Sequence, residues 1–424
     1  MNYNGLSYID LFAGAGGLSE GFIQSGYQPI AHVEMNEYAA KTIETRIAYY
    51  YLKDKGQLKR YYQYEKGQIT REELLKMIPK EELKTVIDKE MSESTIKGIF
   101  ETIDTIKEEK GINQVDVIIG GPPCQAYSLV GRAQSSRMLV PMEEDPRNEL
   151  YKMYVQFLNK YKPRMFVFEN VAGIKTARAG QTFKNLQKYM RRVGYELDYH
   201  ELNARDFGVL QSRKRVIIIG WLKGSGYEYP SFKIIRNNAK VWDLLKDLSP
   251  LTPGVGSDAY LLTDMRKVKK YVKDNSIRKK EDVLTAHIAR PHTERDIEIY
   301  KRAIDLWFTN GQHERLKYDD LPEELKTHKN RTSFVDRFKV VAGDMEYCHT
   351  ILAHLSKDGH YFIHPSIDQH RSITVREAAR IQSFPDDYYF EGPRTSQFVQ
   401  VGNAVPPMMA KEIAEKIKEQ LTKK

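Results

Sequence analysis

Cysteine is scarce in this chain: Cys124 and Cys348 are the only two in 424 residues. Two thiols so far apart in sequence build neither a disulfide framework nor a metal cluster, and a reducing compartment suits both. No apolar run approaches the roughly 20 residues that a membrane-spanning helix needs, and the opening MNYNGLSYIDLF lacks a basic stretch followed by an apolar signal core. The expectation is a soluble, cytoplasmic protein without membrane contact. Internal repeats and low-complexity linkers are lacking as well. With 41% hydrophobic and 29% charged residues, the composition is that of an ordered chain with room for a large core and a second, smaller domain.

Positive charge is in excess, with 66 Lys and Arg against 57 Asp and Glu, a net of +9. A polyanionic partner fits that balance, although by itself the balance is a weak signal. The excess concentrates between Arg266 and Lys280, where eight basic residues accompany a single acid, Asp274. A solvated helix face and a phosphate-contacting face explain such a run equally well.

Short apolar runs alternate with charged helical stretches, the pattern of strands and crossover helices in a doubly wound, parallel α/β sheet. Tyr8–Phe12, Val115–Ile119, Met165–Phe168 and Val216–Ile219 are the clearest strands. In such sheets the ligand sites lie beyond the carboxyl ends of the strands, so chemistry is sought in the adjoining loops.

The first run leads into Ala13-Gly14-Ala15-Gly16-Gly17 and then a helical stretch from Leu18. A further run, Ile30–Val33, ends in Glu34, 20 residues beyond Gly14. That spacing suits an acid accepting hydrogen bonds from ribose hydroxyls. The glycine order is not Gly-x-Gly-x-x-Gly, so a nucleoside is implied rather than a pyrophosphate. A later run delivers Gly120-Gly-Pro-Pro-Cys-Gln-Ala-Tyr-Ser128, in which Pro122 and Pro123 stiffen the turn that presents Cys124. Cys348, by contrast, reads as a small buried hydrophobe. Glu169-Asn-Val171 places a carboxylate where a strand meets its loop, with a helix cap or surface acid as the alternative. In Gln211-Ser-Arg-Lys-Arg215 the two arginines are two apart, so on an extended segment both point to one side.

Six ordered segments resemble the DNA cytosine carbon-5 methyltransferases, of the bacterial restriction-modification type. They are Asp10–Gly17, Gly121–Gln125, Phe168–Val171, Gln211–Arg215, Arg376–Pro385 and Gln400–Pro407, and together they span nearly the whole chain. The resemblance implies a doubly wound S-adenosylmethionine-dependent methyltransferase sheet with a smaller, mixed target-recognition domain. It implies that S-adenosyl-L-methionine is held by Phe12, Ala13, Gly14, Gly16, Gly17, Leu18, Glu34, Met35, Pro122, Asn403, Ala404 and Val405. Cys124, Glu169, Arg213 and Arg215 would surround the target cytosine, with Cys124 as covalent nucleophile. The chemistry agrees: carbon 5 of cytosine attacks a methyl group only after a thiolate has added to carbon 6. Such a base must leave the duplex stack to be reached, and Gln125, Ser128 and Gln134 are placed to meet the DNA as it does so.

Residues 1–240 are expected to form the catalytic domain, 241–375 the target-recognition domain, and 376–424 a segment returning to complete the first. Arg331, Arg337 and Arg371 stand among basic and aromatic residues suited to contacting double-stranded DNA. His287, His292, His360, His364 and His370 lack metal-ligand spacing, so no metal is expected. A helical, charged insert is expected over 48–111. It hides the aspartate that family members offer to the adenine amine, and neither Asp88 nor Asp104 is assigned that role. The expected partners are DNA and a restriction endonuclease acting on the same site, with the enzyme monomeric and nucleoid-associated. A transfer RNA methyltransferase of the same fold, or a non-catalytic cofactor-binding DNA regulator, are the competing readings.

Overall fold

The computed structural model of the protein describes residues 5–123, 150–257, 264–311, 313–327 and 335–423. Its first half alternates strands and helices: β1 (Ser7–Leu11), α1 (Gly17–Gln24), β2 (Gln28–Glu34), α2 (Glu37–Asp54), α3 (Leu58–Glu65), β3 (Val86–Asp88), α4 (Ile96–Glu109), β4 (Val117–Gly120), α5 (Leu150–Tyr161), β5 (Met165–Asn170), α6 (Gln181–Arg192), β6 (Tyr195–Asn203) and β7 (Lys214–Leu222). The seven strands form one sheet in the order β3-β2-β1-β4-β5-β7-β6.

The first five strands are parallel, while β7 runs antiparallel to both β5 and β6. The doubly wound α/β sheet expected from the sequence is thus mixed rather than parallel throughout. One consequence concerns the site: β7 begins, rather than ends, at the edge where β5 finishes, which brings Arg215 opposite that end. The central strands are continuous hydrophobic runs because both sheet faces are covered. Ile9, Leu11, Ile118, Phe166 and Phe168 pack under α4, α5 and α6. Tyr8, Val117, Ile119, Val167 and Ile217 pack on the other face, under α1 and a helix from the end of the chain.

The second half adds three longer helices, α7 (Glu294–Phe308), α8 (Val375–Ile381) and α9 (Arg394–Asn403), before α10 (Pro407–Thr422). Apart from one two-residue antiparallel pair, Gly256–Ser257 with His287–Ile288, the described part between β7 and α8 contains no sheet. Its own core gathers Leu244, Tyr271, Ile299, Tyr300, Val341, Ile363 and Ile373. α10 returns to lie across α1. A Cβ built on Gly21 would stand 2.5 Å from that of Ala410, so the two backbones cross at a distance only glycine allows.

The 48–111 insert is narrower than expected. α2 runs on to Asp54, β3 is the edge strand of the sheet, and α4 covers the sheet face. The added material is α3 with the short helices Arg71–Leu75 and Lys80–Leu83, built on a tyrosine-rich core of Tyr49, Tyr61, Tyr64, Leu74 and Ile78. It is fastened to the segment after α8. Arg46 pairs with Glu20 at 2.6 Å and Asp387 at 2.9 Å, and the Tyr49 and Tyr64 hydroxyls donate to Asp387 and Glu391, each at 2.7 Å.

Candidate active site

β1 ends at Leu11, and the chain turns at once. Phe12 takes φ +58°, a left-handed conformation uncommon for an aromatic residue, followed by Gly14 at +55° and Gly16 at +77°. This tight loop opens α1 with no side-chain cap on its first N–H groups. Glu34, at the end of the neighbouring β2, holds the loop: its carboxylate accepts from Gly14 N at 2.7 Å and from Asn36 N at 2.8 Å. Burial raises its pKa above the ordinary glutamate range. Met35 beside it is 61% exposed, an apolar side chain left open at the edge of the crevice.

The returning segment closes the other side. A Cβ on Gly17 would lie 2.5 Å from the Val405 carbonyl oxygen and 3.0 Å from Ala404 Cβ, so glycine is required for Asn403–Val405 to approach. Tyr388 donates a short hydrogen bond to the Ala15 carbonyl from the segment that follows α8. The resemblance had placed Leu18 among the cofactor residues. Its side chain lies in the core under the sheet. Asp88 was named in the sequence but left without a role. In register with Glu34 at the end of β3, its exposed carboxylate stands beside the same crevice. A three-residue strand gives too short an alternation to be seen in sequence, and the insert before it obscured the count.

Two strands along, Gly120 and Gly121 begin the loop toward Cys124. Gly120 takes φ +139°, and a Cβ there would meet the Leu11 carbonyl oxygen at 2.0 Å. A Cβ on Gly121 would stand 2.8 Å from Glu169 Oε2. Asn170 Nδ2 donates to the Pro122 carbonyl at 3.1 Å, a second residue the sequence reading did not single out. The backbone two residues before Cys124 is thereby tied to the strand end that carries Glu169. Arg215 Nε donates to Glu169 Oε1 at 2.7 Å, with both side chains largely but not fully covered. Cys124, Gln125, Ser128, Gln134 and Arg331 lie outside the described residues.

Two arginine assignments are corrected. Arg213 is fully buried, and its guanidinium donates to the carbonyls of Ile351, Gly402 and Asn403. It is a brace between the sheet and the returning segment. Arg371, expected at the DNA, is also fully buried: it forks onto both oxygens of Glu377 at 2.7 and 2.8 Å, and donates further to Gln369, Leu251 and Ser372. No donor is left for a phosphate. Arg337 lines a cavity of about 550 Å³ with Arg295, Asp296, Thr327, Asp358 and His360, and it is ion-paired to Asp358. In the basic run, Arg278 and Lys279 turn inward to Asp386 and Asp387, while Arg266, Lys267, Lys269, Lys270, Lys273 and Lys280 stay exposed. Cys348 is buried as expected, its thiol pushed up to about 12 by desolvation.

Residues 6–69 and 82–419 match the family described as C-5 cytosine-specific DNA methylase. The Type II methyltransferase M.Bpa9945I of Bacillus paralicheniformis is 42% identical over 443 residues, covering 97% of this chain and 98% of that one. The Type II methyltransferase M1.HphI of Haemophilus parahaemolyticus is 29% identical, over 97% of this chain and 86% of its own. Among solved structures, a candidate DNA modification methyltransferase encoded within an E. coli prophage superposes with a TM-score of 0.63 at 21% identity, over 99% of this chain and all of that one. No helix among the described residues is long and apolar enough to cross a membrane. The chain belongs to the C-5 cytosine-specific DNA methylase family, and it is a DNA cytosine carbon-5 methyltransferase.

Proposed function

We propose that the chain methylates carbon 5 of a cytosine rotated out of a specific DNA duplex, with S-adenosyl-L-methionine as donor and Cys124 as transient covalent nucleophile. The observation that supports this most directly is the union of the Cys124 approach with Glu169. The Gly120–Pro122 backbone is seated on the end of β5 by Asn170, within contact of the Glu169 carboxylate that Arg215 holds.

The crevice suits the donor. Phe12–Gly17 offers backbone N–H groups at an uncapped helix start, Glu34 and Asp88 present two carboxylates at adjacent strand ends, and Met35 offers an apolar cover. Ala13, Pro122, Asn403, Ala404 and Val405 would complete the walls. Glu34 would take the ribose hydroxyls and Asp88 the adenine amine. When bound, the donor supplies an electrophilic methyl group.

The Cys124 thiolate adds to carbon 6 of the base, and the displaced electron pair moves toward carbon 5 and N3. Glu169 accepts from the exocyclic amine and shares a proton with N3, so that the charge developing there is neutralised, while Arg215 fixes the carboxyl; after transfer the carbon-5 proton leaves to solvent and the Cys124 thiolate is expelled. Gln125, Ser128 and Gln134 would face the DNA during base extrusion, and Arg331 and Arg337 belong to the target-recognition region, residues 241–375. A cognate endonuclease reading the same site is the partner that this restriction-modification type of enzyme implies.

Tritiated-methyl transfer to mixed-sequence plasmid DNA, followed by bisulfite sequencing, tests the reading. Wild type should label cytosine within one sequence context, and Cys124→Ser should abolish the label. Transfer to tRNA but not to DNA, or specific DNA binding without transfer by the wild type, would replace it.

A further inference from the structure

Three cations gather at one turn in the second half of the chain, and among the described residues none is paired with a carboxylate. Arg290, just before α7, donates Nη1 to the Lys357 carbonyl at 2.5 Å and Nη2 to the carbonyls of Leu355 and Ser356 at 2.8 and 3.1 Å. It thereby closes the C-terminal end of the 3-10 turn Ala353–Ser356. The same guanidinium lies over the Phe398 ring, 5.6 Å from its centroid. Phe398 stands one turn beyond Arg394 on α9, so Arg394 shares the helix face that Arg290 covers. Burial and the Arg394 charge together lower the pKa of Arg290. Lys357 follows the turn directly and is exposed.

Among the described residues, the Arg394 and Lys357 side chains make no hydrogen bond and no ion pair. Asp358, the carboxylate that acts on Arg290, is already bound by Arg337 and by the His360 N–H. α9 itself begins at Arg394 without a side-chain cap, which adds the positive end of a 10-residue helix to the cluster. Like charges collected without a counter-ion repel one another, so an anion joining them is favoured. Two guanidiniums, an ammonium and unspent helix N–H groups match the charge and the oxygen geometry of a phosphate diester.

The cluster is tied to the catalytic edge from two directions. Upstream of the turn, Thr350 Oγ1 donates to the Ser212 carbonyl at 2.7 Å and Ile351 N to Gln211 Oε1 at 2.8 Å, on the segment that leads to Arg215. A Cβ on Gly402 would lie 2.3 Å from Ala353 N, so the end of α9 that precedes the crevice wall is seated on the same turn. A group bound there is registered against both the base pocket and the donor crevice. Arg371, the cation expected at the DNA, is spent on Glu377, whereas these three retain their charge for a ligand. We propose that Arg290, Lys357 and Arg394 clasp the phosphodiester backbone of the bound duplex, fixing its register relative to the base pocket without reading sequence. The inference rests on the duplex-methylating reading above. Inorganic phosphate offers the same charge and oxygens, and the experiment separates the two sources.

The test is fluorescence anisotropy of the full chain with a labelled duplex carrying the sequence context that wild type methylates, over roughly 50 to 200 mM salt. Arg394→Gln and Lys357→Gln should each weaken binding and flatten the slope of log K against log salt by about 0.9, the value of one lost phosphate contact. Both variants should keep the wild-type melting temperature, since neither side chain is bonded within the described protein, and bisulfite sequencing should return the same methylated context. Arg290 is left in place because it also closes the turn. Lys97→Gln, which removes the same charge from an exposed site on α4, should leave the slope as it was. An unchanged slope in either cluster variant, or an equal flattening by Lys97→Gln, would overturn the proposal. So would a melting temperature raised by inorganic phosphate in wild type but not in Arg394→Gln with the DNA slope unmoved, which would mark a site for a free anion. Failure of wild type itself to bind or methylate the duplex would overturn the reading beneath the proposal, and the proposal with it.

Discussion

Arg213 and Arg215, two positions apart, serve different ends, and substitution separates them. Arg215 is partly open and bound to Glu169. Arg215→Ala should leave the melting temperature nearly unchanged and lower kcat by about 10² to 10³, the usual effect of removing a group that stabilises developing charge. Arg213 is wholly internal and satisfies three carbonyls. Arg213→Met should behave oppositely, lowering stability by about 1–3 kcal/mol for each acceptor left unpaired while the folded fraction keeps its turnover. Denaturant titration alongside methyl-transfer kinetics distinguishes the two. Gly17→Ala probes the crevice wall: with the Val405 oxygen 2.5 Å from the new methyl group, the returning segment must move. Donor affinity should fall at least tenfold and stability by about 1–3 kcal/mol.

Among the elements, the insert core and the segment after α8 share buried ion pairs, so Asp387→Asn should disturb both. Arg46 would keep Glu20 but lose its second carboxylate, and Tyr49 and Lys279 would lose a charged acceptor, at a cost of about 1–3 kcal/mol, and proteolysis should then release the 55–85 region before the sheet unfolds. Most of the sheet was readable in the sequence because β1, β4, β5 and β7 are buried on both faces and hence continuously apolar. β6 was not, since Glu196, Asp198 and His200 face solvent and break any such run. The antiparallel direction of β7 was equally hidden, because strand direction is set by connections and not by composition. Spacing singled out the glycine loop and Glu34, which the structure joins by a hydrogen bond, whereas Glu169 stood apart from a helix cap or surface acid only through the family resemblance. Asp88 and Asn170 were not singled out, for their significance comes from the strand ends they share with Glu34 and Glu169. Arg371 misled because a charged residue between aromatic ones reads as exposed, whereas its partner Glu377 sits six residues on, in the first turn of α8.

For the molecule as a whole, buried imidazoles and buried carboxyls pull stability in opposite directions as pH falls. His32 and His364 are lowered to about 3 and His349 to about 4, chiefly by burial. An unfolded histidine takes a proton near pH 6.5, so these groups are without penalty above that pH and erode stability as pH falls toward 4. Each contributes at most about 1.4 kcal/mol per pH unit. Burial acts in the opposite sense on the Asp10 carboxyl, raised to about 8, so the imidazole share is isolated by comparing urea midpoints of wild type and His364→Gln from pH 7.5 down to 4.5: the wild-type curve should fall more steeply below pH 6.5 than that of the variant, and parallel curves would show that the imidazole is hydrated in solution. The crossing of α1 and α10 also has a temporal side. The Tyr27 hydroxyl, just after α1, bonds to the carbonyl of Ala414, 387 residues further along. At roughly 5–20 residues per second, a ribosome takes about 20–80 seconds to supply that partner, and until then the face around Gly21 has nothing to close against. A nascent chain thus carries the glycine loop long before Ala404 and Val405 arrive to wall it in.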